Sequence, residues 1–589
     1  MILTQDQQTI IRAKKTAKIY LEGVAGTGKT TTAVNRLKSW LDGGVSPQHI
    51  LILLPQITLA TPYREALRSA DRPEGADATI ATFGSLTQTL IALFWGLIAE
   101  HAGFANPQKP PTFLSLETAQ YFMGRVLDPI IERDGLFDTV KQPRNRLYSQ
   151  LLDNLNKSAL VGFPHTEIAQ RLKRAWDGND SDPQLRVYDD GQVCVDAFRA
   201  YCYAESLLDF SLQVELLINH LLPSPHVQAY LTKQHRYIIA DNCEENSLAA
   251  YRLLNRLVEG AKGALVIADL LGGYRRFLGA DLSLLYHARQ VPQEQVTFTQ
   301  LFTSPPPVHA LASELAITLG KSDHILAPSA NPRDGFIVET FRYYPQLTDA
   351  VAHEVARLIG EGVSPDEIAV VSPFLTDTLR FSLMSRLTEL GIPVRSHRPS
   401  RPLSEEPAAL ALIHLACLAH PQWGIHPARH DLVTTYKTAL GTDLVRAQLL
   451  VSRGTTWKGL QPLLKSFMDI PMAGQSRITF AVGGRYEGLR TWLADMGASS
   501  EQPLDHFWRR LFGEVVSTHG YGFNTDGNPN KDMAEIASAL IQSAMQFRLM
   551  RFRSPALVTT RFGGIDCSCV YPLITEYACE ISILVEYRR

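Results

Sequence analysis

Gly23-Val24-Ala25-Gly26-Thr27-Gly28-Lys29-Thr30 is the stretch on which the fold reading turns. It fits the spacing G-x-x-x-x-G-K-[ST], and its surroundings fit as well. The run Lys18-Ile19-Tyr20-Leu21 leads into it as a strand, and residues 30–41 continue from it with helical periodicity. Glycines here let backbone N–H groups curl around phosphate oxygens at a helix N-terminus, where the dipole favours anions. Lys29 would neutralise terminal phosphates, and the Thr30 hydroxyl would hold Mg2+.

Working outward, short apolar runs alternate with helical patterns, as in a parallel sheet wrapped by helices. Ile50-Leu51-Ile52-Leu53-Leu54, Thr79-Ile80-Ala81-Thr82, Tyr237-Ile238-Ile239-Ala240 and Ala264-Leu265-Val266-Ile267-Ala268 read as further buried strands. The stretch between the third and fourth strands is too long for one crossover, so a helical domain is expected there. Gly44-Val45-Ser46-Pro47 before Ile50 is echoed by Gly362-Val363-Ser364-Pro365 before Ile368-Ala369-Val370-Val371. Each spells a helix stop, a Ser-Pro turn and a strand, which predicts two related lobes. Ser304-Pro305-Pro306-Pro307 and the segment 327–332 read as connections, and residues 177–192 and 518–532 as exposed loops.

Composition narrows the class. The chain has 589 residues, 45% of them apolar, with 57 Lys and Arg against 59 Asp and Glu and a net charge of -2. Mean hydropathy is -0.06. It can bury sizeable cores, and it is no uniformly basic nucleic-acid binder, although a local basic groove remains open. No signal-like leader or membrane-length apolar run is visible, and seven cysteines make no disulfide framework. A cytoplasmic protein is expected.

A phosphate loop alone does not choose among kinases, GTPases and motors; its flanks do. Leu3-Thr4-Gln5-Asp6-Gln7 resembles the glutamine motif with which UvrD/Rep-type superfamily 1 DNA helicases read adenine, and Arg36 falls where they carry an arginine beside the nucleotide. A primary amide suits adenine because it donates and accepts together. Ala81-Thr82-Phe83-Gly84-Ser85 is similar to the family's T-F-H-S strand end, which touches single-stranded DNA, with Gly84 in place of histidine. Leu208-Asp209-Phe210-Ser211-Leu212 resembles L-D-F-D-D-L, and Arg236-Tyr237-Ile238-Ile239-Ala240-Asp241 resembles the Walker B strand. Ile368-Ala369-Val370-Val371, followed by Leu390-Gly391-Ile392-Pro393-Val394, resembles the strand–helix–G-I-P-Y unit of the second motor lobe.

The resemblance implies an α/β P-loop NTPase with two RecA-like parallel-sheet lobes, the second incomplete, and inserted helical domains. Its parts would be residues 1–88 and 206–325 for lobe one, interrupted by helices at 89–205. Residues 326–420 would open lobe two, 421–545 would be its helical insertion, and 546–589 an atypical tail. ATP and Mg2+ are the implied cofactors. The implied ATP contacts are Gln7, Gly23, Val24, Ala25, Gly26, Thr27, Gly28, Lys29, Thr30, Thr31 and Arg36. Thr30 and Asp241 would hold the metal, Lys29, Asp241 and Glu245 would be catalytic, and Thr82, Phe83 and Ser85 would bind DNA. The implied activity is ATP-driven translocation on single-stranded or partly duplex DNA, with unwinding, in repair or recombination. A nuclease or recombination protein is an implied partner; no membrane is involved.

The departures fall on chemistry. D-E-[FY]-Q-D reads Asp241-Asn242-Cys243-Glu244-Glu245, so an amide replaces the proton-accepting glutamate, leaving Glu244 or Glu245 to substitute. In G-D-x-x-Q-x-I-Y-x-F-R-G-A the glutamine is Gly272 and the arginine Leu278, and A-V-L-Y-R ends at Ser372-Pro373. Thr455-Thr456-Trp457-Lys458-Gly459-Leu460-Gln461 echoes H-x-x-K-G-L-E without its histidine and reads as a surface turn. The expectation is therefore a helicase, or alternatively a helicase-derived nucleotide- and DNA-binding module that has lost its motor. A small-molecule kinase is the third reading. Cys567, Cys569 and Cys579 fit no common zinc spacing; Cys417, His420, His426 and His430 are better spaced, but Cys417 falls in an apolar helix and the histidines in a Pro-containing loop, so no metal site is expected there.

Overall fold

The computed structural model describes residues 3–68, 77–178, 183–320, 330–394, 403, 406–499, 502–525, 528–529 and 531–553. Cys567, Cys569, Cys579 and most of the expected tail lie outside them. Two compact units form: residues up to Ser304 together with those from Pro407 onward, and Pro305–Glu406.

The first unit is built on six parallel strands: β1 (Lys18–Gly23), β2 (Ile50–Leu54), β3 (Thr79–Thr82), β4 (Tyr237–Ala240), β5 (Gly263–Asp269) and β6 (Glu294–Phe298). Their order is β3-β2-β4-β5-β1-β6. All five residues of β2 are buried, because both its edges pair and both its faces are covered. One face carries Ile19, Leu21, Ile52, Ile239, Leu265 and Ile267 against Leu37 and Trp40 of the helix Lys29–Asp42. The other carries Tyr20, Leu51, Leu53, Ile238, Ala264 and Val266 into a core shared with the helices between β3 and β4. The period-two alternation read as strands is this division between faces. Register then sets the working edge: Gly23 pairs with Asp269, Leu53 with Ala240 and Leu54 with Thr82. The C-terminal ends of β1, β3, β4 and β5 therefore deliver Gly23, Thr82, Asp241 and Asp269 to one side of the sheet.

Between β3 and β4 the chain is helical, including Phe83–Ile98, Leu116–Asp134, Arg144–Val161 and Pro183–Glu205. The last corrects the loop expected at 177–192: Asp190 is buried and accepts from the Phe137 N–H at 2.9 Å, so an acidic stretch is drawn into a helix. At the centre of these helices Arg199 donates to Asp209 (2.8 Å), Ser211 (2.8 Å) and Glu215 (2.9 Å). Arg199 and Asp209 side chains are each only 2% exposed. Asp209 also caps the helix Phe210–Leu216.

Residues from Pro407 onward contribute a further set of helices, among them Pro407–Ala419, Phe480–Ala498 and Lys531–Arg553. The expected surface turn at 455–461 is instead half of an antiparallel hairpin, Thr455–Lys458 with Gln461–Leu464. Gly459 takes a positive φ in its connection.

In Pro305–Glu406 the echo of residues 44–50 holds bond for bond. Val45 N–H donates to the Trp40 carbonyl and Val363 N–H to that of Leu358, both at 3.0 Å, with Gly44 and Gly362 at positive φ. A short 3-10 turn follows in each case. The outcomes then diverge. Ile368–371, expected as a strand, pairs with nothing among the described residues, and Val371 is 88% exposed. A strand needs neighbours for its N–H and C=O groups, and the described residues of this unit supply helices only, packed around Ala352, Val355 and Leu387.

Candidate nucleotide-binding site

β1 ends at Gly23, and the helix Lys29–Asp42 begins six residues later. Gly26 and Gly28 lie at φ +84° and +77°, a region where a side chain is strained, so glycine is what lets the loop close. Thr27 Oγ1 donates to the Val24 carbonyl at 2.8 Å and pins the turn. Lys29 Nζ donates to the carbonyls of Gly23 and Val24, both at 2.8 Å, and pairs with Asp269 at 3.1 Å. Ala25 is exposed, while Val24, Thr30 and Thr31 are half-buried on the loop and the first helical turn.

Thr30 Oγ1 donates to Asp241 Oδ2 at 2.9 Å, so the sheet joins the two expected metal ligands across 211 residues. Asp241 is buried. Burial raises its pKa, opposed by hydrogen bonds from the Tyr63 hydroxyl, the Thr30 hydroxyl and the Asn242 backbone, and by the charge of Lys29. A hydroxyl and a carboxylate beside a lysine are hard oxygen donors of the kind Mg2+ takes, so this pair fits the ion.

Gln7 is buried in the capping box of the helix Gln5–Arg12, with its Oε1 accepting from the Thr4 N–H at 3.0 Å. Its Nε2 packs so close to Gly28 that a Cβ there would collide with it. The expected adenine reader thus lies against the loop. Phe302 lies there too. Its N–H donates to the Gly26 carbonyl at 2.9 Å, and its ring, half exposed, approaches Gly28. No sequence signal marked Phe302, since it follows the last strand in an unpatterned segment.

Arg36 does not face this site, which corrects its assignment as an ATP contact. Its guanidinium is buried and donates to the carbonyls of Ile11 (3.0 Å), Ala13 and Lys14, at the end of the helix Gln5–Arg12. Carbonyls at a helix C-terminus lack partners, and a buried cation there satisfies them. Arg36→Met is expected to cost about 2–4 kcal/mol in denaturant unfolding while leaving the preference for ATP over GTP unchanged. An altered preference with unchanged stability would restore the original assignment.

The carboxylates after Asp241 are committed elsewhere. Glu245, expected as the catalytic base, accepts the N–H groups of Tyr274 (3.1 Å) and Arg275 (2.9 Å), so it anchors the loop after β5. Glu244 is buried, accepting from the Asp269 N–H at 2.8 Å and the Asn242 amide at 3.2 Å. Burial pushes its carboxyl up to about 7. It also explains Gly272, where a Cβ would come within 2.7 Å of Glu244 Cγ. A glutamine at 272 would therefore crowd the inward Glu244.

Thr82 and Ser85 form the capping box of the helix Phe83–Ile98, with Ser85 N–H on Thr82 Oγ1 at 3.2 Å and Thr82 N–H on Ser85 Oγ at 2.9 Å. Phe83 is half-buried against the core, so little of its ring is free for stacking. Tyr274 and Phe277, 81% and 70% exposed on the loop after β5, are open aromatic faces on this side of the sheet.

A strand–glycine loop–helix with lysine, threonine and two strand-end carboxylates converging on it has the architecture of a P-loop lobe. Residues 3–291 match the UvrD/REP helicase N-terminal domain, and this part of the chain belongs to that family. A protein of Mycoplasma pneumoniae called a probable DNA helicase is 25% identical over 332 residues, which cover 54% of this chain and 57% of that protein.

Proposed function

We propose that the chain binds ATP with Mg2+ at the loop 23–30 and single-stranded DNA along the neighbouring strand ends, as the nucleotide-binding lobe of a UvrD-type DNA helicase. The observation that carries this reading is the convergence of Lys29, Thr30 and Asp241. Lys29 would exchange its loop carbonyls for phosphate oxygens, and Gln7 would read the adenine edge, with Phe302 alongside to cover the base. Thr30 and Asp241 would hold Mg2+, which supplies charge neutralisation on the phosphates. The positive end of the helix that starts at Thr82–Ser85 would favour a DNA phosphate, and Tyr274 and Phe277 offer stacking faces to bases.

ATP-driven translocation and duplex unwinding, in repair or recombination, extend this reading and require turnover. A second reading, a binding module without turnover, is favoured by one observation: after Asp241 comes the amide of Asn242, and Glu244 and Glu245 are both engaged by N–H donors. Steady-state ATPase with and without single-stranded DNA separates the two. Stimulated hydrolysis that Lys29→Ala abolishes supports the motor, whereas nucleotide and DNA binding without hydrolysis supports the module. Turnover raised by a small-molecule phosphate acceptor would overturn both.

A further inference from the structure

Tyr63 lies in the helix Thr61–Arg68, outside every motif that the nucleotide reading uses. Its side chain is fully buried, and its hydroxyl donates to Asp241 Oδ2 at 2.7 Å, across 178 residues of sequence. The same oxygen accepts from Thr30, while Oδ1 accepts from the Asn242 N–H at 2.9 Å. Oδ2 is thus filled by two hydroxyl donors, and the remaining acceptor capacity of the carboxylate lies on Oδ1. We propose that Tyr63 is a positioning residue for the metal: it fixes the rotamer of Asp241, leaving Oδ1 as the oxygen that would be available to the Mg2+ that accompanies the nucleotide. This rests on the nucleotide-binding reading and adds to it a residue that touches neither phosphate nor base.

A buried carboxylate needs donors in place of the water it has lost. Asp241 has three such donors, and Tyr63 supplies one of the two on Oδ2. Tyr63 also lies in the first turn of the helix that follows β2, whose entry turn Ile57–Ala60 exposes Ile57 and Leu59. The metal-organising carboxylate is thereby tied to a surface segment on the same side of the sheet.

The test is Tyr63→Phe, which removes one oxygen and keeps the ring. Binding of a non-hydrolysable ATP analogue to the full chain is measured by calorimetry in EDTA and across a Mg2+ titration. The expected result is unchanged affinity in EDTA and about a tenfold rise in the Mg2+ concentration at half-effect, the scale of one hydrogen bond to a charged group. In an Asp241→Asn background the same substitution should change the Mg2+ dependence by less than about twofold, because the coupling is gone. Identical Mg2+ curves for the parent and Tyr63→Phe, whatever the melting temperature does, would show a packing residue and overturn the proposal. A parent chain whose analogue binding ignores Mg2+ would overturn the metal reading itself, and this inference with it.

Discussion

Lys29→Ala is expected to weaken Mg2+-dependent ATP binding about a hundredfold or more while leaving the lobe folded. The side chain is only 10% exposed, and its ammonium is held by two loop carbonyls and Asp269. These partners fix it at the mouth of the loop, where two charge-assisted contacts to phosphate oxygens would each contribute about 1.5–3 kcal/mol. Alanine removes the contacts and leaves the Asp269 carboxylate near the phosphates without its cation, so repulsion adds to the loss. Calorimetric titration with ATP and Mg2+ measures this, with circular dichroism as the control for folding. A variant that is folded and binds ATP within threefold of the parent would remove Lys29 from the site.

Arg199→Met is expected to be the most destabilising single change described here. Three groups converge on a guanidinium that is almost completely enclosed, and methionine leaves Asp209 and Glu215 facing each other without a cation. Breaking a buried ion cluster by removing one partner costs about 3–5 kcal/mol, because the remaining charges stay desolvated. Asp209 would also become a poorer cap for the helix Phe210–Leu216. Chemical denaturation followed through helical signal should show the loss, with ATP affinity unchanged in the fraction that remains folded. A change below about 1 kcal/mol would mean that water reaches the cluster in solution.

Much of the first unit was legible because its signals are local. Glycines at 23, 26 and 28 together with lysine at 29 specify a loop, and a continuous apolar run such as 50–54 specifies a strand covered on both faces. The helical segment between β3 and β4 was legible from its length alone. Side-chain direction was not. Arg36 lies two helical turns beyond Lys29, a spacing compatible with the nucleotide, yet the preceding helix brings unpartnered carbonyls to it. Glu245 has the right chemistry but is claimed by a loop nearly thirty residues further on. Tyr63 and Phe302 carry no motif at all, and only the pairing of strands distant in sequence brings them to the loop. The second unit shows the opposite limit. Its turn at 362–367 repeats that at 44–49 in detail, but a turn specifies only where a strand begins, whereas the strand itself needs neighbours to pair with.

The direct measurement is calorimetric titration of the purified full chain with ATP in magnesium buffer. The account predicts saturable one-to-one binding, in about the micromolar to submillimolar range, that is lost in Lys29→Ala and weakened when Mg2+ is chelated. A folded chain that shows no saturable binding at millimolar ATP would contradict it.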